Sequence, residues 1–285
     1  MLTYYVDGKY VRADQAVIPV DDLAILRGFG VFDLLRTYNG KPFFLKEHVE
    51  RLLNSAKEVQ LEVPWTVADI TGIALKILAI NDLEEANIRM VITAGSSPDF
   101  ITPQGNPRLL VLISPTPSLP RWWYEKGVKI VTMPSTRTIP GAKSIDYISA
   151  TLALKEARKV NAIEAVYVDG NGQILEGTTS NIFAFVGNRL VTPGEKILSG
   201  VTRRVILELA DNMFEVEIRS LNEAELLNAD EVFITGTNKG LVPVVQVNDG
   251  TIGGGVPGPS TRKLMAAMEK TVQAVTEQAA ASGSG

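Results

Sequence analysis

The sequence contains no cysteine and only one histidine, His48. Without cysteine, disulfides, thiolate catalysis and cysteine-ligated zinc sites are excluded. A serine-histidine-aspartate triad would have to use His48, but the surrounding LKEHVERLLNSAKEV (45–59) has the pattern of a helix, which is typical of a partly buried helix residue. If the chain is catalytic, its chemistry must come from lysine, carboxylates, tyrosine, arginine or a cofactor.

Extremes of charge and hydropathy are also missing. The net charge is −4 and no Lys/Arg-rich run occurs, so nucleic-acid binding has little electrostatic support. No stretch approaches the ~20 apolar residues that span a bilayer, and the start MLTYYVDGKYV predicts a strand rather than a signal peptide. From 285 residues, 45% of them hydrophobic and 21% charged, we expect a globular cytoplasmic protein without nucleic-acid or membrane partners.

Apolar periodicity and turn dipeptides predict a mixture of helices and strands. Asp7-Gly8 and Asn39-Gly40 suit tight hairpin turns, because Gly and Asn tolerate positive φ. The pattern favours an α+β protein built on largely antiparallel sheets. The predicted helices cover residues 45–61, 67–80, 149–160, 202–213 and 260–280. The predicted strands beyond the hairpins cover residues 87–95, 108–114, 128–133, 164–169, 181–186, 215–220 and 231–236.

One segment interrupts this pattern. SPTPSLPRWWYEKG (114–127) carries three prolines and breaks both periodicities, as an interdomain linker does. We therefore predict a small N-terminal α/β domain over residues 1–113, a linker over 114–127 and a larger C-terminal domain over 128–285. The final ASGSG (281–285) is interpreted as a disordered tail or as residues added for expression.

Lys143 is the first candidate for chemistry. It follows a Pro-Gly turn in IPGAKSIDY (139–147), among small and apolar neighbours. A free lysine amine has a pKa of about 10.4, so a nucleophilic lysine needs desolvation or a nearby cation. By local pattern alone, a lysine near a turn is usually a solvent-facing residue, and the rest of the chain must decide between the two interpretations.

Three polar turns accompany this lysine. Glu176 opens the run EGTTSN (176–181), which is either a turn whose hydroxyls bond local backbone or a carboxylate with hydroxyls facing a pocket. In SGVTRR (199–204) a small-residue turn precedes a helix start, where amide donors and the helix dipole suit a phosphate group. The Gly/Thr/Asn-rich loop TGTNKG (235–240), directly after an apolar strand, suits a phosphate as well.

Three arginines in the N-terminal half differ in context. Arg51 lies on the polar side of its predicted helix, as a solvated arginine does. Arg27 follows an apolar run, and Arg89 interrupts a strand that is otherwise strongly apolar. A buried arginine needs a carboxylate or phosphate partner, because an unpaired buried charge is costly. For Arg89 that partner is either a protein carboxylate or an anionic ligand.

Six motifs, in this order, resemble those of the class IV aminotransferases, the pyridoxal-phosphate enzymes of fold type IV, and they span nearly the whole chain. The resemblance implies a two-domain α+β fold of the D-amino-acid aminotransferase type, with helices flanking its sheets, and a pyridoxal 5'-phosphate cofactor. The motifs are GFGVFDLLRTYNGKPFFLKEHVERL (28–52), AKSIDY (142–147), LEGTTSNIF (175–183), SGVTRR (199–204), ITGTNKG (234–240) and PGPSTRKL (257–264).

The resemblance implies a role for each matching position. Lys143 corresponds to the lysine that forms a Schiff base with the cofactor and then acts as the base in proton transfer. Glu176 corresponds to the glutamate that pairs with the pyridine nitrogen, and Tyr147 to the tyrosine near the cofactor's phenolic oxygen. The phosphate-binding positions correspond to Arg51, Val201, Thr202 and Thr237, and the substrate-binding positions to Arg27, Phe32, Arg89 and Asn238.

The resemblance also implies an assembly. In this family the larger domain holds the cofactor, and the active site lies between the two domains near a dimer interface. We therefore expect a homodimer with a shared active site, in which the 28–33 loop and Arg27 serve the neighbouring subunit.

The substrate-binding positions are where this sequence departs most from the patterns of the family. Branched-chain enzymes usually carry tyrosines at the positions of Arg27 and Asn87, and the usual D-amino-acid enzymes carry an arginine near Ala94. The pair Arg27 and Arg89 resembles a less common D-amino-acid arrangement, in which two arginines bind the α-carboxylate. We expect transamination of a D-amino acid with 2-oxoglutarate or pyruvate. The alternatives are a branched-chain L-amino-acid aminotransferase, and an aminodeoxychorismate lyase or (R)-amine transaminase.

Overall fold

The computed structural model describes residues 1–281, and this part of the chain divides into two compact units. Each unit is built on one β-sheet, with helices packed against it, as the α+β prediction requires. The first unit consists of residues 1–117, 141–146 and 274–281, and the second of residues 118–140 and 147–273.

The first unit contains a six-stranded sheet. Its strands are β1 Thr3–Val6, β2 Lys9–Arg12, β3 Gly30–Tyr38, β4 Lys41–Pro42, β5 Ala86–Thr93 and β6 Arg108–Pro115. They lie in the order β2-β1-β6-β5-β3-β4, and all the pairs are antiparallel. Both predicted hairpins are confirmed, and Asp7-Gly8 and Asn39-Gly40 all have positive φ.

Three α-helices belong to the first unit: α1 Leu23–Arg27, α2 Leu45–Glu58 and α3 Val67–Asn81. Helix α2 buries Leu45, Val49, Leu52 and Ala56, whose spacing of three or four residues places them on one face against β3. Helix α1 was not predicted, because its five residues are too short to show a period. Its start is capped by Asp22, which accepts a 2.8 Å hydrogen bond from the amide of Ala24.

The second unit contains a ten-stranded sheet. Its strands are β7 Val128–Pro134, β8 Glu164–Val168, β9 Gln173–Gly177, β10 Asn181–Val186, β11 Arg189–Thr192, β12 Glu215–Ile218, β13 Leu221–Asn222, β14 Glu231–Gly236, β15 Gly240–Val247 and β16 Gly250–Thr251. The order is β12-β11-β10-β14-β15-β7-β8-β9-β13, with β16 paired to β15. Strands β10 and β14 are buried along almost their whole length, because side chains pack on both faces of the sheet.

The sheet of the second unit is mixed, although most of its pairs are antiparallel, as predicted. Pairs β7–β8, β7–β15 and β11–β12 are parallel. A parallel pair needs a long crossover, and helices α5 and α6 provide the crossovers for β7–β8 and β11–β12. The helices of this unit are α4 Trp122–Glu125, α5 Ile148–Lys159, α6 Val201–Asp211 and α7 Glu223–Leu227. Helix α8 Pro259–Ala281 begins in this unit and ends in the first.

Part of the predicted linker has regular structure. Strand β6 extends to Pro115, and α4 lies within the remainder of 114–127. As a boundary between independently folding domains, 114–127 stays a prediction. Apart from Ala281, which ends α8, the predicted tail 281–285 lies outside the described residues. Across the described residues, no helix combines the length and apolar character that crossing a membrane requires.

Candidate active site

The backbone of Lys143 is held in place by strand β3 and helix α2. Its amide donates to the Ser55 hydroxyl at 3.0 Å, and its carbonyl accepts from the Phe32 amide at 2.8 Å. Two residues further on, the amide of Ile145 donates to the carbonyl of Gly30 at 3.0 Å. The segment therefore pairs with β3 through a single antiparallel bridge between Val31 and Ser144. Lys143 is not a loosely held turn residue.

Gly30 makes this pairing possible. A Cβ atom at position 30 would lie 2.7 Å from the carbonyl oxygen of Ile92 and 3.1 Å from Cδ1 of Ile145. Real Cβ atoms essentially never approach a backbone oxygen that closely, so the position requires glycine. The second glycine of GFGVFD therefore allows the Lys143 segment to lie against β3.

Two cations share the ring of Phe32. The Lys143 amine lies 4.7 Å from the ring centroid, and the Arg89 guanidinium carbon lies 4.9 Å from it. Phe32 is buried, and a cation near an aromatic face is attracted by the ring quadrupole. Arg89 is exposed rather than buried as its apolar strand suggested, and within residues 1–281 it makes no ion pair with a carboxylate, so the protein partner considered for it from the sequence is absent there.

Arg51 is not the solvated arginine that the sequence pattern predicts. Only 12% of its side chain is exposed, and its Nε donates to the fully buried Asp33 at 2.7 Å. The prediction was wrong because Asp33 comes from a different element, β3. His48 is more deeply buried than expected, and its Nδ1 lies 2.7 Å from the same carboxylate.

Arg27 lies at the exposed C-terminal end of α1. Its Nη1 donates to the carbonyl of Leu26 at 2.8 Å, and Gly28, with φ of 63°, ends the helix. The role of Arg27 in substrate binding stays a prediction. The expectation that the whole 28–33 loop serves the neighbouring subunit is wrong for Phe32, whose ring lies beside Lys143 of its own chain.

Glu176, at the end of β9, is buried and bound at both carboxylate oxygens. Oε1 accepts from Arg137 Nη1 at 2.8 Å, and Oε2 accepts from the amide of Leu198 at 3.0 Å. Arg203 is also close: burial lowers the pKa of its guanidinium, and the charge of Glu176 opposes that shift. Because these three groups are donors or cations, the site suits the carboxylate anion.

The hydroxyls that follow Glu176 are directed to a second buried carboxylate, Glu164. Thr178, Thr179 and Ser180 all donate to it, with Thr179 Oγ1 at 2.7 Å and Ser180 Oγ at 2.9 Å. The Lys239 ammonium lies 2.7 Å from the same group. Sequence reasoning considered local backbone or a pocket as partners for these hydroxyls, and missed Glu164.

Lys239→Met is expected to lower the free energy of unfolding by about 3 kcal/mol, because it leaves Glu164 buried without its ammonium partner. Urea titration followed by circular dichroism measures the change. Lys196→Met is the control: Lys196 pairs with Asp169 at 3.1 Å but is 58% exposed, so less than about 1 kcal/mol is expected. Equal losses in the two variants would contradict the prediction.

The same pair predicts a pH dependence. Burial would raise the pKa of Glu164, but the Lys239 ammonium and the hydroxyl donors outweigh it and hold the pKa below the ordinary glutamate value of 4.5. The ionised form therefore stabilises the folded protein above pH 4.5, and this contribution is lost as the pH falls further. The stability difference between wild type and Lys239→Met should be largest near neutral pH and shrink in acid.

Asn181 joins the two turns that suit a phosphate. It begins β10 opposite Thr235 of β14, and its Nδ2 donates to the carbonyl of Leu198 at 2.9 Å. A Cβ atom at Gly200, the residue that caps α6, would lie 2.1 Å from Asn181 Oδ1. The start of α6 and the β14–β15 turn therefore lie at one end of neighbouring strands. The predicted residues at this end are Val201, Thr202, Thr237 and Asn238.

Two polar atoms of this turn have no hydrogen-bond partner within residues 1–281. They are Thr235 Oγ1 and Asn238 Oδ1, and both are buried. Buried polar atoms are nearly always hydrogen-bonded, so a bound group is expected to complete the turn. Tyr147, the remaining predicted cofactor residue, caps the start of α5 in this unit.

Residues 30–247 match the sequence model of the family described as amino-transferase class IV. The chain belongs to the class IV aminotransferases. This family membership confirms the resemblance inferred from the six motifs, and the protein is a pyridoxal-phosphate-dependent transaminase.

Three relatives of this aminotransferase cover almost its whole length. A putative branched-chain-amino-acid aminotransferase of Methanocaldococcus jannaschii is 35% identical over 91% of this chain and 93% of its own. A D-alanine aminotransferase of Bacillus licheniformis is 28% identical over 95% of this chain and 97% of its own. The structure of the branched-chain aminotransferase from Thermoproteus uzoniensis with norvaline matches with a TM-score of 0.89 and 26% identity, over 97% of this chain and 96% of that one. These matches confirm the fold class.

The residues of this aminotransferase fit the cofactor of its family. In the second unit, the amides at the start of α6 and the incompletely bonded 235–240 turn suit a phosphate, and Glu176 suits a protonated ring nitrogen. In the first unit, the Lys143 amine is partly buried on the Phe32 ring, and Arg51 supplies a further cation. The sequence did not identify Asp33, Arg137 or Glu164 as site residues. The two carboxylates, Asp33 and Glu164, lie in or at the start of strongly apolar strands, and a carboxylate in such a place indicates a charged or hydrogen-bonding partner.

Proposed function

We propose that this transaminase moves the amino group between a D-amino acid and a 2-oxo acid such as 2-oxoglutarate or pyruvate. The observation that carries the proposal is the Phe32 ring, with the Lys143 amine 4.7 Å and the Arg89 guanidinium 4.9 Å from its centroid. Arg89 is a cation able to bind a substrate carboxylate. It lies near the same ring as the Lys143 amine, which is able to act on the Cα atom next to that carboxylate.

Two residues that differ from the branched-chain pattern support the D-amino-acid assignment. Arg27 and Asn87 replace the tyrosines of the branched-chain pattern, and Asn87 is buried within β5, two residues before Arg89. The relative from Bacillus licheniformis, which matches over nearly the full length of both chains, is named a D-alanine aminotransferase.

A branched-chain L-amino-acid aminotransferase is the second candidate. It is favoured by the Methanocaldococcus jannaschii relative, which has the higher identity of the two, and by the Thermoproteus uzoniensis structure. Both candidates need a carboxylate partner and the same lysine, so the difference between them lies in stereochemistry and side-chain preference.

Each predicted residue has a proposed task in the reaction. When bound, pyridoxal phosphate supplies an aldehyde that combines with amines and a ring that accepts electron density from the substrate Cα. Lys143 carries the proton between the substrate Cα and the cofactor's reactive carbon. Glu176, kept ionised by Arg137 and the Leu198 amide, holds a proton on the ring nitrogen. The phosphate is bound by Arg51, Val201, Thr202 and Thr237, with Tyr147 near the phenolic oxygen and Asn238 on the substrate side.

A panel of half-reactions tests the proposal. The purified yellow protein is mixed with D- and L-alanine, D- and L-glutamate or D- and L-leucine, and the cofactor absorbance is followed. We expect the D-enantiomers to bleach the absorbance at least tenfold faster than the L-enantiomers. Faster bleaching by L-leucine supports the branched-chain candidate and contradicts the D-amino-acid proposal.

Arg89→Ala is expected to raise the KM for amino acids about 10- to 100-fold while changing the KM for a simple amine less than twofold, because only the amino acid has a carboxylate to lose. Steady-state kinetics with both substrates measures the two values. Arg36→Ala is the control, since Arg36 lies on the adjacent strand but is paired with Glu85 at 2.7 Å. An equal rise for both substrates in Arg89→Ala would show that no carboxylate binds there.

We also propose that the enzyme is a homodimer, as the family resemblance implies. The proposal is supported by exposed apolar side chains near α1, with Val17 77%, Val20 81% and Ile25 54% exposed. Size-exclusion chromatography with light scattering measures the molar mass of the protein in solution. A mass equal to that of a single 30.9 kDa chain would contradict the proposal.

A further inference from the structure

A buried charged cluster lies between β3 and α2. Asp33 is fully buried, His48 is 2% exposed and Arg51 is 12% exposed. Arg51 donates two hydrogen bonds to the Asp33 carboxylate, from Nε to Oδ2 at 2.7 Å and from Nη2 to Oδ1 at 2.9 Å. This fork fixes the plane of the guanidinium as well as its position.

The protonation states of the cluster follow from its contacts. Burial would raise the pKa of Asp33, but Arg51 and His48 together outweigh it and hold the pKa well below the usual value. Burial lowers the pKa of His48 and prevails over the attraction of Asp33, so the imidazole is neutral at neutral pH. An ionised carboxylate can only accept, so His48 Nδ1 carries its hydrogen and donates to Oδ1.

The cluster is tied to the Lys143 segment on both sides. Adjacent residues of a strand point to opposite faces, so β3 directs Phe32 to Lys143 and Asp33 to α2. One turn after Arg51, the Ser55 hydroxyl donates to the Arg51 carbonyl at 2.8 Å and accepts from the Lys143 amide at 3.0 Å. A shift of Asp33 therefore acts directly on the Arg51 guanidinium, whereas it reaches Lys143 only through the backbones of β3 and α2.

We propose that Asp33, supported by His48, is a positioning residue that aims Arg51 at the phosphate of the cofactor. The inference rests on the proposed role of Arg51 and goes beyond it, because Asp33 itself touches no part of the cofactor. A buried carboxylate bound to both Nε and Nη2 fixes the direction in which the guanidinium points. The aspartate thereby converts a flexible arginine into a directed phosphate ligand.

Comparison of pyridoxal phosphate with pyridoxal, which lacks the phosphate, isolates this role. Full-length protein freed of bound cofactor is titrated with each compound, and the absorbance reports both dissociation constants. Asp33→Asn should weaken the binding of pyridoxal phosphate about tenfold or more and change the binding of pyridoxal less than twofold. A merely structural role would weaken the binding of both compounds alike.

Asp22→Asn is the matched control. Asp22 is also fully buried in the first unit, but it caps α1 and accepts from the Thr93 hydroxyl at 2.8 Å. It should lower stability without changing the ratio of the two dissociation constants. If Asp33→Asn does not fold, His48→Leu takes its place, since it removes one donor to Asp33; we then expect the preference for pyridoxal phosphate over pyridoxal to fall two- to fivefold.

The outcomes separate the inference from the proposed function. An unchanged ratio in Asp33→Asn, or in His48→Leu as its replacement, overturns the positioning role. Tighter binding of pyridoxal phosphate by Asp33→Asn also overturns it, because Asp33 would then only offset the charge of Arg51. If the wild-type protein binds neither compound, the proposed pyridoxal-phosphate chemistry is itself contradicted.

Discussion

Lys143→Ala is expected to lower the rate of amino-group transfer about 10⁴-fold, at the upper end of what a positioned general base contributes. The variant loses the amine that is proposed to carry the proton. Arg89, the other cation on the ring, has a guanidinium group, which offers hydrogen-bond donors and no acceptor for a proton. Stopped-flow bleaching of the cofactor absorbance with a saturating amino acid measures the rate.

The fold should survive this substitution. The backbone amide and carbonyl of residue 143 make the contacts with Ser55 and Phe32, and both remain when the side chain is removed. A small primary amine added to the solution should restore part of the rate, because it can enter the space left by the side chain. Lys155→Ala, a change on α5 outside the proposed site, is the control and should leave the rate unchanged. Near-normal turnover in Lys143→Ala would rule out the proposed mechanism.

Glu176→Gln is expected to lower the same rate about 10²- to 10³-fold, which is typical for the loss of one preorganised electrostatic partner. Glutamine keeps the size of the side chain but cannot hold a proton on the ring nitrogen by charge. It also offers an amide donor to Arg137 or Leu198, both of which are donors already. The measured quantity is the single-turnover rate at saturating substrate.

Glu231→Gln separates this effect from loss of stability. Glu231 is another buried carboxylate of the second unit, and it accepts from the amides of Ser260 and Thr261 at the start of α8. It should lower the melting temperature while the turnover of the folded protein stays within about twofold of wild type. If Glu176→Gln behaves in the same way, Glu176 supports the fold and has no part in the reaction.

The pair Arg137–Glu176 shows where sequence reasoning reached its limit. Glu176 was identified because a carboxylate began a polar run inside a strand pattern. Arg137 lies 39 residues earlier in the chain, and no local pattern relates the two. The hydroxyls after Glu176 were noticed as well, yet their acceptor, Glu164, lies on another strand and became evident only from the fold.

Parallel pairing was missed for a related reason. The strands were predicted from alternating or continuous apolar runs, and such runs do not say which strand lies beside which. The crossovers through α5 and α6 brought β7 beside β8 and β11 beside β12, so the second sheet is mixed. Short elements such as α1 and β16 have too few residues to show a period.

The amino-acid sequence by itself determined the fold class, most helices and strands, the exclusion of cysteine chemistry, and the family, because these depend on composition, local periodicity and ordered motifs. The tertiary structure alone decided that the Lys143 backbone is held by Ser55, 88 residues away, and that Arg51 is paired with the buried Asp33. Both contacts join groups from different elements. Their partners are therefore set by how β3 and α2 pack, which no spacing within either element encodes.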